Sequence, residues 1–110
     1  MRQKYWPPGK TLDKSTIHIK ENSWVARLAA AKLGTDKVAM VLGNTIHLHR
    51  TRKEEFLQNK RWVNHELCHI RQFKEHGFWG FILKYLAESI KHGYHNNKYE
   101  IEARAAEEGS

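Results

Sequence analysis

Cysteine is nearly absent from this chain: Cys68 is the only one in 110 residues. A single thiol excludes an intramolecular disulfide framework and an all-cysteine zinc site. It suits a reducing compartment, and a cytoplasmic location is expected. Proline is scarce as well, and both copies, Pro7 and Pro8, stand near the start. Long hydrophobic runs are missing. The richest stretch, Phe78 to Leu83, contains Gly80 and stops at Lys84, far short of the roughly 20 residues that cross a bilayer. No membrane partner is therefore expected. The first apolar stretch is broken by Pro7-Pro8-Gly9-Lys10, which does not read as a secretory signal. Repeats and low-complexity linkers are lacking too. Acidic charge is in deficit, with 12 Asp+Glu against 19 Lys+Arg and a formal net charge of +7. Such a chain is drawn to polyanions. No Lys/Arg run exceeds two residues, however, and the loose groups Arg50-Thr51-Arg52-Lys53 and Lys60-Arg61 read as solvated surface.

The length suits one domain with one modest core, taken as residues 1–110 with a polar arm over 1–14. Thr16 to Lys20 alternates as a short strand does. Asn22 or Ser23 can cap a helix from Trp24 to Lys32, stopped at Leu33-Gly34. Its alanines, Ala26, Ala29, Ala30 and Ala31, imply a closely packed neighbour. Asp36 to Leu42 reads as a strand, Gly43-Asn44 as a hairpin turn and Thr45 to His49 as the return strand. Helical patterns follow over Lys53–Asn59, Arg61–Glu75, Phe78–Lys91 and Tyr99–Glu108. In the third of these, Phe78, Phe81, Ile82, Tyr85, Leu86 and Ile90 form the expected buried face. The fold class is α+β: an N-terminal helix, a hairpin or small antiparallel sheet, and a helical remainder.

The chemistry concentrates at His65-Glu66-Leu67-Cys68-His69, which is H-E-x-x-H. On a helix, residues four apart share a face, so two imidazoles can reach one metal ion. Glu66 is turned about 100° from His65, off the ligand face but within reach of a water on the open side of the metal. That is where a general base belongs. A catalytic zinc takes three protein ligands and leaves one position open. Cys68 lies on the flank opposite Glu66 and reads as a small buried packing residue. The segment Asn97-Lys98-Tyr99-Glu100-Ile101-Glu102-Ala103-Arg104 offers two carboxylates at the start of a helix.

These two segments together resemble the gluzincins, zinc metallopeptidases with HExxH on one helix and a glutamate ligand on a later one. Several of those families carry Glu-x-x-Ala-Asp in the second segment. Glu100-Ile101-Glu102-Ala103 matches its first four positions, while Arg104 replaces the Asp that would orient a ligand histidine. The resemblance covers roughly residues 23 to 108. It implies a zincin-like fold and one Zn²⁺ held by His65, His69 and Glu100, with Glu102 in reserve and His92 or His95 as further alternatives. It also implies a substrate strand along the cleft, carried onto Thr45, His47 and His49. An exposed strand edge can indeed add an extended peptide. Tyr94 and His95, before the glutamate helix, are candidate donors to an oxyanion. Gln72, one turn after His69, can contact the ligand shell.

The expected activity is hydrolysis of a peptide or protein substrate by a zinc-activated water, with Glu66 as general base. The rival expectation, from the charge, is a nucleic-acid or acidic-partner module with a structural or vestigial metal, centred on Arg50 to Lys53 beside Trp62.

Overall fold

The computed structural model describes residues 17–109; the arm expected over 1–14 lies outside the described residues. In chain order the elements are β1 (His18–Lys20), α1 (Trp24–Leu33), β2 (Val38–Leu42), β3 (Thr45–His49), α2 (Lys53–Gln58), α3 (Lys60–His76), α4 (Phe78–His92) and α5 (Lys98–Ala106). Among the described residues, five helices and a three-stranded mixed sheet make an α+β fold.

Local chemistry sets the helix starts. The Ser23 hydroxyl accepts from the Ala26 amide at α1, the Asn59 side chain from Trp62 at α3, and the Asn97 side chain from Tyr99 at α5. Each satisfies an amide that the first turn leaves without a partner. α3 and α4 are joined by Gly77 alone, at φ 77°, a backbone state that glycine adopts without the Cβ clash of other residues.

The sheet order is β1-β3-β2. β2 and β3 pair antiparallel through the expected hairpin, with Val41 opposite Ile46 and Ala39 opposite Leu48. β1 adds in parallel to the other side of β3, His18 opposite Thr45 and Lys20 opposite His47. Alternation then sorts side chains between two faces. Val41, Ile46 and Leu48 face one side and build the main core with Phe56, Leu67, Ile70, Phe73, Phe81 and Tyr99. Val38 faces the other side and packs on Ala26 and Ala30 of α1, the close neighbour that the alanines imply. The sheet thus lies between α1 and the layer led by α3.

Two expectations are corrected here. Thr45 to His49 is not an exposed edge: β1 and β2 flank it, and the Leu48 carbonyl beyond β1 accepts from the Ser23 amide. The lone edge strand expected from hairpin alternation is displaced by a three-residue strand that joins from far upstream. The buried face of α4 is also narrower than its apolar pattern suggests. Phe81 is buried, but Phe78, Leu86 and Ile90 are exposed.

Candidate metal centre

α3 reaches the centre of the domain because it packs against β2, α4 and α5. Its helical period puts His65 and His69 one turn apart, their rings meeting edge to face at 5.1 Å between centroids. α5 crosses beside them and delivers Glu100, which is 4% exposed. His65 Nε2 lies 3.1 Å from Glu100 Oε1, and His69 Nε2 lies 3.3 Å from Glu100 Oε2. One ligand atom from each of the three residues falls within 4.8 Å of the others. Ligand atoms about 2.1 Å from a tetrahedral zinc stand roughly 3.4 Å apart. The donor set and its spacing therefore fit a zinc ion, and the alternative third ligands do not enter the group: Glu102, His92 and His95 are outside it.

The remaining ring nitrogens are fixed by partners. His65 Nδ1 lies 2.8 Å from Glu107 Oε2, and His69 Nδ1 lies 2.8 Å from Gln72 Oε1. The Gln72 amide is itself oriented, because its Nε2 donates to the Tyr99 carbonyl and to Glu102 Oε1. Both acceptors hold a proton on Nδ1, so that Nε2, once it gives up its own proton, is the nitrogen that can ligate. Gln72 thus contacts His69. Glu102 stands outside the three-residue group: it holds Gln72 and pairs with Arg71 Nη2 at 2.7 Å.

Two residues of the site escaped the sequence reading. Glu107 supplies the carboxylate that Arg104 cannot, and Arg104 instead donates to the His95 carbonyl. Glu107 follows Glu100 by seven residues, two helical turns, so it returns to nearly the same face; that spacing was the available signal. Tyr85 of α4 donates its hydroxyl to Glu100 Oε2 at 2.5 Å, and no local pattern in the sequence marks it.

The electrostatics follow from burial and these contacts. Burial opposes charge on Glu100, but donation from His65, His69 and Tyr85 outweighs it and holds the carboxyl below the usual carboxylate range. Burial likewise opposes charge on the two imidazoles, yet Glu100 and Glu107 beside His65, and Glu100 and Glu66 beside His69, raise both above the ordinary value. Glu66 has no such donor. Burial pushes its carboxyl up to about 8, and its Oε1 has no hydrogen-bond partner among the described residues. A buried polar atom in that state is compatible with a site that takes a further group. Cys68 is packed with Ala103 and Ala106 and is pushed up to about 11 by burial, an inert thiol.

A cleft of about 410 Å³ opens over the centre, lined by His65, Glu66, His69, Glu100, Tyr85 and Tyr94 together with Val38 to Leu42 of β2. Because consecutive residues of β2 line it, the cleft runs along the edge of that strand, which has no strand neighbour among the described residues. Tyr94 stands on its wall, its phenol pushed up to about 12 by burial and by Glu100 nearby. Three expected substrate-strand residues and one expected donor are elsewhere. Thr45, His47 and His49 share a sheet face with Val38, toward α1 and away from α3, and His47 Nδ1 is 2.8 Å from the Ser23 hydroxyl. His95 is exposed and does not line the cleft. No family model, curated protein or solved structure matches the chain.

Proposed function

We propose that the chain is a zinc-dependent peptidase of gluzincin type, with a zincin-like arrangement of α1, the sheet, α3 and α5. The observation that carries this reading is the convergence of His65 Nε2, His69 Nε2 and the Glu100 carboxylate beside a buried Glu66 Oε1 that has no partner among the described residues. Two imidazoles and one carboxylate suit zinc with one position left for chemistry. When bound, zinc supplies a Lewis acid for the scissile carbonyl and the attacking water. A cation beside Glu66 would return its raised carboxyl to the ionised form, in which it could accept a proton from the attacking water and pass it to the leaving amine. Tyr94, protonated at neutral pH, donates to the oxygen on which charge develops. The unpaired edge of β2, rather than β3, receives the extended peptide backbone.

The rival built on the basic group at 50–53 is weaker. Arg52 pairs with Glu54 at 3.9 Å, and Lys37 is 2.6 Å from Glu55 in the same short helix. Carboxylates interleave with the cations there, which does not favour a polyphosphate.

The test combines elemental analysis with peptide cleavage. Purified protein should hold one zinc per chain, and His65→Ala with His69→Ala should hold none. Glu66→Gln should keep the zinc and lose about 10² to 10⁴ in turnover on any cleaved peptide, the usual contribution of a general base. Full zinc in the double histidine variant, or undiminished hydrolysis in Glu66→Gln, would overturn the proposal.

A further inference from the structure

Glu100 brings two oxygens to the centre, and a catalytic site has use for one. Zinc with three protein ligands keeps a position open for water. A carboxylate that ligates through both oxygens takes up that position itself. Nothing within a glutamate side chain prevents this, because its terminal torsion is broad and roughly two-fold. What the carboxylate touches must decide.

Its contacts are of two kinds. His65 Nε2 lies 3.1 Å from Oε1, and His69 Nε2 lies 3.3 Å from Oε2. These nitrogens are the ligands of the zinc reading and must shed their protons to bind a metal, so their contacts to Glu100 end on loading. The Tyr85 hydroxyl donates to Oε2 at 2.5 Å. A phenol, with an ordinary pKa of about 10, keeps its proton at neutral pH, so this donation persists. It marks Oε2 and leaves Oε1 to the metal. Tyr94 also neighbours Glu100, but from a turn and half-exposed.

The Tyr85 donor is held from two sides. Its ring meets those of His69 and Phe81 edge to face, at 6.4 and 5.7 Å between centroids. Its backbone carbonyl accepts from Asn97 Nδ2, while the Asn97 carbonyl accepts from the Glu100 amide. One buried asparagine thus ties the residue that donates to the residue that accepts. A tyrosine has only two side-chain torsions, so a fixed ring gives a nearly fixed hydroxyl.

We infer that Tyr85 is a positioning residue of the centre: its hydroxyl takes up Glu100 Oε2, confines ligation to Oε1 and so leaves the fourth position to water. This role rests on the zinc reading and goes beyond it, because that reading requires a glutamate ligand and says nothing of how many oxygens bind. The rival role for the same contact is structural: the hydroxyl satisfies a buried carboxylate and steadies α4 beside α5. The two part when the hydroxyl alone is removed.

The experiment uses the full chain, stripped with a chelator and saturated with Co²⁺, whose visible absorption is strong in four-coordinate sites and severalfold weaker in five-coordinate ones. The parent is expected to show the strong bands. Tyr85→Phe keeps the ring and is expected to lose them severalfold at full cobalt occupancy, as the released Oε2 joins Oε1 on the metal. Elemental analysis checks the occupancy and circular dichroism the fold. A Tyr85→Phe spectrum equal to the parent's would overturn the inference and leave the contact a structural one. The unaltered chain gives a second reading that needs no variant. X-ray absorption of the zinc-loaded protein should find four nitrogen or oxygen ligands at about 2.0 to 2.2 Å, and a fifth, longer oxygen would overturn the inference. Failure of the zinc reading looks different: the parent would take up no cobalt, or no more than His65→Ala with His69→Ala does, and the role of Tyr85 would fall with it.

Discussion

Glu107 shows how one side chain sets the behaviour of another. Its carboxylate fixes the His65 ring through Nδ1 and is itself held by Arg61, whose Nη2 lies 3.2 Å from Glu107 Oε1. Removing an outer acceptor of a ligand histidine generally lowers metal affinity by about 10- to 100-fold. Glu107→Ala should therefore lose zinc to a chromophoric chelator at about that lower affinity, while Glu107→Gln, which keeps an acceptor oxygen, should stay near the parent. Equal affinity in all three proteins would mean that the contact has no role in ligation. Removing a ligand is a larger change: Glu100→Gln should weaken binding by orders of magnitude, and Glu102→Gln only through the loosened Gln72. At this scale the sequence is legible where chemistry is local. HExxH carries its own geometry, and Gln72 follows from one helical turn. Tyr85 does not, because its meeting with Glu100 depends on how α4 docks against α5.

At the scale of elements, the helix boundaries lie close to those expected because capping asparagines, glycines and periodicity act within a few residues. The sheet was harder to read. β1 is three residues long, and its pairing with β3 joins segments more than twenty residues apart. Nothing local in Thr45 to His49 reports that a second neighbour will cover its edge. The burial of α4 was ambiguous for another reason: apolar residues occupy most of its circumference, so the pattern cannot say which ones face the core. Asn97 joins the elements that matter most. Fully buried, it caps α5 at Tyr99 and donates to the Tyr85 carbonyl and the Ser89 hydroxyl of α4. Asn97→Ala removes a cap and the two hydrogen bonds that tie the start of α5 to α4, a loss of roughly 2 to 4 kcal/mol. Urea unfolding should show it as a lower midpoint with an unchanged slope. Because Tyr85 and Glu100 flank this junction, the same variant should also bind zinc more weakly. An unchanged midpoint would remove Asn97 from the junction.

Over the whole molecule, the main core and the candidate metal centre share α3 and meet at Phe73. Leu67 and Ile70 pack in the core, His65, Glu66 and His69 face the cleft, and Phe73 does both. The metal-free protein should consequently remain folded and unfold cooperatively, unlike a domain that zinc alone holds together. Zinc at 100 times its dissociation constant should add about 2.7 kcal/mol, raising Tm by roughly 10 to 20 °C for a domain of this size, and a chelator should reverse it. Calorimetry with no shift on loading would argue against a native-state site. The far end of α5 has a practical consequence. Asn64 Nδ2 donates to the Gly109 carbonyl, Arg61 reaches Glu107 and Glu108, and Glu107 orients His65. A carboxypeptidase nibbling inward past Glu107 would leave every ligand and every core residue in place and still disarm the centre. Protein cut back to Ala106, intact by its fold, should release zinc faster than protein that keeps Glu107, so that preparations of one apparent purity would differ in metal content according to how far proteolysis had advanced into this segment.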